Sequence, residues 1–167
     1  MVAIIRHHAD GNKTAVKNKL VVFLLAWLTM YAGCNNNNIP KPPSPAELAR
    51  QGFASPEMPR ITAEELKIMY DNREPLTLVD VRARSQYLSG YIPGARNIPG
   101  DTWEEEESFN VISTLPGDRL IITYCDCLDD GESAVGAERL VFFGYDNVRI
   151  LWKGIYYWQE IGGEVRE

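Results

Sequence analysis

Histidine is nearly missing from this chain: the two that occur, His7 and His8, are adjacent and lie within the first ten residues. No histidine therefore stands beside the cysteines further along, and the cysteines alone do not complete a zinc set. A calcium loop is excluded as well. The acidic run from Asp126 to Gly131 has Leu128 where an oxygen ligand is needed and Ala137 where the closing glutamate belongs. No cluster of Lys and Arg interleaved with aromatics occurs after Cys34, where 13 basic residues face 22 acidic ones. A chain of that balance repels phosphate backbones, which excludes nucleic acid as a partner. There is no internal repeat, and the 167 residues leave room for one ordinary domain with appendages.

Long apolar runs are also lacking. Leu20 to Ala32, LVVFLLAWLTMYA, falls short of the ~20 residues of a comfortable bilayer span. Three lysines precede it and Gly33-Cys34 follows, which is a signal-peptide layout. Asn35 to Asn38 and the IPKPPSP stretch then form a polar, proline-rich segment that buries no core and reads as a tether. The junction Tyr31-Ala32-Gly33-Cys34 resembles the lipobox of bacterial lipoproteins. That resemblance implies a signal peptide over 1–33, a diacylglycerol thioether on Cys34, and a flexible tether over 34–59. It also implies a periplasm-facing protein held to the cell envelope by its acyl chains. Asn35 would not give the inner-membrane retention signal of an aspartate, which favours the outer membrane in a two-membrane bacterium. The alternatives are an ordinary cleavage near Ala32 that leaves an idle thiol, or an uncleaved anchor.

From Arg60 the pattern is that of a folded domain over 60–167. Thr62-Ala63-Glu64-Glu65 is a capping box opening a helix to about Tyr70, and Leu76 to Val81 is a short apolar strand. Ser85 to Ser89 holds one or two helical turns, and Arg96 to Ile98 is a brief strand. Asp101-Thr102-Trp103-Glu104 reads as a second capping box, with Glu104 to Glu107 as a solvated helix start. Leu120 to Tyr124 is a strand. Ser133 to Phe143 is a helix whose apolar positions are Ala134, Ala137, Leu140 and Val141, and Gly144 stops it. Val148 to Leu151 is a strand, and Ile155 to Ile161 a helix closed by Gly162. Strands alternating with helices predict an α/β fold, a parallel sheet covered on both faces.

Cys125 directly follows the strand at Leu120, and the polar loop Asp126-Cys127-Leu128-Asp129-Asp130-Gly131-Glu132 leads into the Ser133 helix. Ligand crevices of open parallel sheets lie at such carboxyl ends, where loop amides and a helix N-terminus stabilise a thiolate. A nucleophilic or persulfide-carrying cysteine suits that place. So does a buried structural cysteine. Cys127 stands close enough to form a disulfide with Cys125 in an oxidising compartment, or to resolve a persulfide on it.

The ordered part resembles the rhodanese-like domains. The matching blocks are Leu78-Val79-Asp80-Val81-Arg82, then Tyr87 with Gly90 to Pro99, then Ile122 to Cys125, then Ser133-Ala134 with Ala137 and Leu140, and finally Leu151, Gly154 and Trp158. The resemblance implies a doubly wound parallel sheet of about five strands with helices on both faces. It implies that Cys125 carries sulfane sulfur as a persulfide, and that Asp80 and Arg82 give structural support at the sheet edge. It implies no cofactor, and a small sulfur-containing substrate or acceptor thiol as partner; a protein partner is not indicated. The departures are specific. The loop after Cys125 is longer than in the sulfurtransferases and has no arginine, while it carries Asp126, Asp129, Asp130 and Glu132. Carboxylates oppose a thiolate and repel anionic donors such as thiosulfate. Tyr91 replaces the usual histidine, Lys153-Gly154 the usual glycine pair, and without arginine the activity of related phosphatases is not expected. Three functions stay open: a sulfurtransferase or persulfide carrier using Cys125, a non-catalytic binding module, and thiol-disulfide chemistry through Cys125 and Cys127.

Overall fold

The computed structural model describes residues 39–167. The signal peptide expected over 1–33, the lipidation at Cys34 and the asparagine run lie outside the described residues.

Five parallel strands form one sheet in the order β1-β5-β4-β2-β3, with β1 at Arg60–Ile61, β2 at Leu76–Asp80, β3 at Arg96–Asn97, β4 at Leu120–Tyr124 and β5 at Val148–Leu151. The central strand β4 is buried along its whole length, as its continuous apolar run requires. Its alternate residues feed two separate cores. Ile121 joins Val79, Val81, Trp103, Ala134, Ala137 and Leu140 on one face. Ile122 and Tyr124 join Leu66, Leu78, Ile92 and Trp158 on the other. This is the period-two consequence of a strand sandwiched between helices.

The helices are α1 (Pro45–Arg50), α2 (Ala63–Asp71), α3 (Arg84–Leu88), α4 (Glu106–Ser113), α5 (Gly131–Phe142) and α6 (Gly154–Glu160). The capping box at Thr62 is formed: Glu65 N donates to Thr62 Oγ1 and Thr62 N to the Glu65 carboxylate. The second one is not. Asp101–Glu104 is a turn in which Trp103 drops into the core, and α4 starts only at Glu106 behind Glu105. Thr102 is engaged elsewhere, donating to Pro99 O and lying 2.8 Å from Ser108 Oγ. Glu104 to Glu107 are exposed, as expected of a solvated helix start. On α5 the buried face is Ala134, Ala137 and Leu140 together with Gly136, whereas Val141 is exposed.

Part of the stretch read as a flexible tether is ordered. Ser44 caps α1, its N–H and hydroxyl both donating to the Glu47 carboxylate, and Leu48 is buried. The sequence signal was Ser-Pro-Ala-Glu, a capping box with proline at the first helical position, inside a segment whose proline content suggested no structure.

Candidate functional site

Cys125 is the first residue beyond β4 and is fully buried. Its carbonyl accepts from Ile155 N at 2.9 Å, which anchors the sulfur-bearing residue to the start of α6. Gly154 makes that approach possible. With φ of +57°, it passes so close that a Cβ there would meet Cys125 O at 2.1 Å.

Around Sγ stand the Cys127 amide, which points at it from 3.4 Å, and the Ser133 hydroxyl, also at 3.4 Å. Ser133 Oγ donates to Asp130 O at 3.0 Å and can turn instead to a sulfur anion. Cys127 is joined to Cys125 as a disulfide, with the Cα atoms 5.6 Å apart. Of the two cysteines only Cys127 has an accessible side, next to Leu128, whose side chain is 85% exposed.

The four carboxylates of the loop do not act alike. Asp130 is not at the thiol at all: its side chain turns inward, accepts from Arg60 Nε at 3.2 Å and from Lys153 N at 3.0 Å, and is fully buried. Burial pushes its pKa up to about 6 against the opposing pull of Arg60. Asp129 folds back to accept from Gly131 N, an Asx turn that starts α5. Asp126 accepts from Gln86 Nε2 at 2.7 Å, closing the loop onto α3. Among the described residues Glu132 has no such partner. Partial desolvation, then the neighbouring Asp126, Asp101, Asp80 and Asp129, raise its pKa. Glu132 and Asp101 line a cleft floored by Val81, Gly100 and Val135 beside the loop, with Gln86 at its edge. That cleft is anionic, so it disfavours anionic ligands.

Asp80 and Arg82 pair at the carboxyl end of β2. Arg82 Nη2 donates to Asp80 Oδ2 at 2.6 Å and to Gly90 O at 2.7 Å, tying the strand end to the following loop. Tyr124 receives Ile92 N on its hydroxyl, and burial followed by the Asp80 charge pushes its pKa upward, so it stays neutral. Lys153, which precedes Gly154, turns its ammonium onto aromatic rings. Its Nζ sits over the rings of Trp152 and Tyr157, at 4.6 and 4.8 Å. Among the described residues no group of His, Cys, Asp and Glu is arranged to hold a metal ion, and no helix is long and apolar enough to cross a membrane.

Sequence reasoning missed Arg60, Gln86 and the role of Gly154. Arg60 carried no signal, because nothing local links it to a loop seventy positions on. Gly154 was visible only as half of a glycine pair.

A cysteine at the tip of the central strand, cradled by the loop into a long helix, defines a class, and the comparisons agree on which. The family profile of the rhodanese-like domain matches residues 62–161, and the chain belongs to that family. It is 41% identical over 80 residues to the HTH-type transcriptional regulator Rv0324 of Mycobacterium tuberculosis, covering 48% of this chain and 32% of that one. It is 27% identical over 104 residues to the adenylyltransferase and sulfurtransferase UBA4 of Candida albicans, covering 60% of this chain and 23% of that one. The chain thus spans a third or less of these relatives. The crystal structure of the BH2092 protein from Bacillus halodurans superposes with a TM-score of 0.58 at 28% identity, over 73% of this chain and 85% of that one.

Proposed function

We propose that the domain accepts sulfane sulfur on Cys125 as a persulfide, working as a sulfurtransferase or persulfide carrier tethered to the bacterial cell envelope through a lipid on Cys34. The observation that carries this reading is the setting of Cys125 Sγ. It stands at the carboxyl end of the central strand with the Cys127 amide donating to it from 3.4 Å and, at the same distance, the Ser133 hydroxyl, which can turn from Asp130 O to a sulfur anion. The name of the Candida albicans relative supports a sulfur-transfer chemistry. The substrate is a small sulfane-sulfur donor or an acceptor thiol, neutral or cationic in preference to anionic given the carboxylates at the cleft.

The test uses the Cys127→Ser variant, in which a sulfur taken up by Cys125 has no neighbouring thiol. After incubation with sulfane donors and alkylation, the tryptic peptide 120–139 should carry one additional sulfur, absent when Cys125 is also replaced by serine. A correctly folded variant that takes sulfur from no donor would point to a binding module. Anchoring is tested separately: a Cys34→Ser variant should leave the membrane fraction or stay unprocessed, and an unmodified chain beginning elsewhere would sink the lipoprotein reading.

A second reading, thiol-disulfide exchange, is favoured by the disulfide between Cys125 and Cys127. It expects oxidation of substrate dithiols without any sulfur adduct.

A further inference from the structure

We infer that Cys127 is a resolving cysteine that discharges the persulfide on Cys125 within the same chain, releasing hydrosulfide and leaving the Cys125–Cys127 disulfide. The inference rests on the reading of Cys125 as a sulfane-sulfur acceptor and adds the fate of that sulfur: the product is sulfide, so the activity is reduction of sulfane sulfur rather than its transfer intact.

The loop conformation that carries the disulfide is fixed by contacts that do not involve the two sulfurs. Asp130 is held by Arg60 and Lys153 N, Asp126 by Gln86, and Asp130 N reaches back to Cys127 O. The loop that brings Cys127 to Cys125 is therefore built into the domain. Electrostatics give the direction. A persulfide is an anion at neutral pH, and the loop supplies no arginine to hold it; among the described residues the one guanidinium bonded to the loop, that of Arg60, is spent on Asp130. Asp126, Asp129 and Glu132 stand on the same loop, and Asp126 and Asp129 add to the negative charge felt at Glu132. Exchanging a fixed anion for a neutral disulfide and a diffusible hydrosulfide relieves that repulsion.

The step balances. The Cys127 thiol attacks Cys125 Sγ; the Cys127 Sγ–Cys125 Sγ bond forms and the bond from Cys125 Sγ to the outer sulfur breaks. The outer sulfur leaves with the bonding pair and takes up the Cys127 proton as HS⁻. The two cysteines give up two electrons and the sulfane sulfur gains them. An external dithiol must then return two electrons to the disulfide, and the half-exposed Cys127 beside Leu128 is the sulfur it reaches.

The experiment takes the reduced full chain, free of added thiol, with benzenethiosulfonate as donor, whose leaving group is a sulfinate, so that sulfide can come only from the resolving step. In the wild type, peptide 120–139 should become resistant to alkylation, two hydrogens lighter, in step with release of one equivalent of sulfide. The Cys127→Ser variant should retain the additional sulfur on Cys125 and release none. A wild-type chain that keeps the added sulfur as long as the variant does, or forms the disulfide without sulfide, overturns the resolving role and leaves the persulfide reading intact. A folded Cys127→Ser variant that takes up sulfur neither from this anionic donor nor from a neutral organic polysulfide ends both. The wild-type time course decides by itself if that variant fails to fold.

Discussion

Arg60 and Asp130 meet as a buried ion pair, Nε to Oδ2 at 3.2 Å, between the first strand and the last residue before α5. Arg60 lies two residues outside the stretch matched to the family, 62–161, and its other N–H groups go to the carbonyls of Ala54, Ser55 and Met58. One guanidinium therefore fastens the segment after α1 to the cysteine loop. Removing it strands a buried carboxylate and frees three carbonyls, and breaking such a pair from one side costs about 3–5 kcal/mol.

Arg60→Ala should accordingly lower stability by that amount and loosen the loop. Denaturant unfolding reads the first, and faster amide exchange at Cys127 and Gly131 reads the second. Loss of stability with the loop amides still protected would mean that Arg60 supports the 54–60 segment only.

Asp130 gives a pH dependence of definite sign. Its folded pKa, about 6, lies above the usual carboxylate value because burial outweighs Arg60. The native state therefore binds more protons than the unfolded one between about pH 4 and 6. The stabilisation from this group is fully present below about pH 4 and is lost as pH rises through about 6. The stability of the wild type relative to Asp130→Asn should thus increase as pH falls from 7 to 4, by on the order of 2–3 kcal/mol. A relative stability that decreases over this interval would show that Arg60 wins over burial.

The sheet was legible because a buried parallel strand announces itself locally, as Leu120–Tyr124 does, and so was the position of Cys125 at its end. The charge around the cysteine was not legible. Asp130 and Asp129 read alike in sequence, yet one is drawn inward to a partner seventy residues away and the other turns back on its own loop. Side-chain direction in a polar loop depends on which long-range donor is near, and no local pattern encodes that. Trp103 failed for a related reason: its tertiary burial overrode a local capping signal.

Gly154 sets how closely α6 can approach the cysteine. In Gly154→Ala the left-handed backbone adds about 1–3 kcal/mol of strain, and the Cβ collides with Cys125 O. Gly162→Ala is the control, since that residue has φ of +79° but open space around its Cβ position. Gly154→Ala should be the more destabilising of the two and should slow sulfur uptake at Cys125, while Gly162→Ala should leave uptake unchanged. Equal effects on both measurements would remove the collision as the cause.

Glu132 lines the anionic cleft beside the cysteine loop and, among the described residues, is the loop carboxylate without a hydrogen-bond partner of its own. Replacing it with arginine changes two charges facing a dianion. At several ångströms and an effective dielectric between that of a protein surface and water, this is worth on the order of 1–3 kcal/mol. In the Cys127→Ser background, which prevents self-resolution, thiosulfate:cyanide transfer should be weak with Glu132 and should rise at least about tenfold in Glu132→Arg. Glu132→Gln should fall between, and added salt should narrow the differences. Asp126→Arg should help less, because it also breaks the contact to Gln86 that closes the loop. Strong transfer by the Glu132 form itself would mean that the Cys127 amide and the Ser133 hydroxyl outweigh the carboxylates. In that case the alkylation rate of Cys125 should titrate well below the ~8.5 of a free thiol.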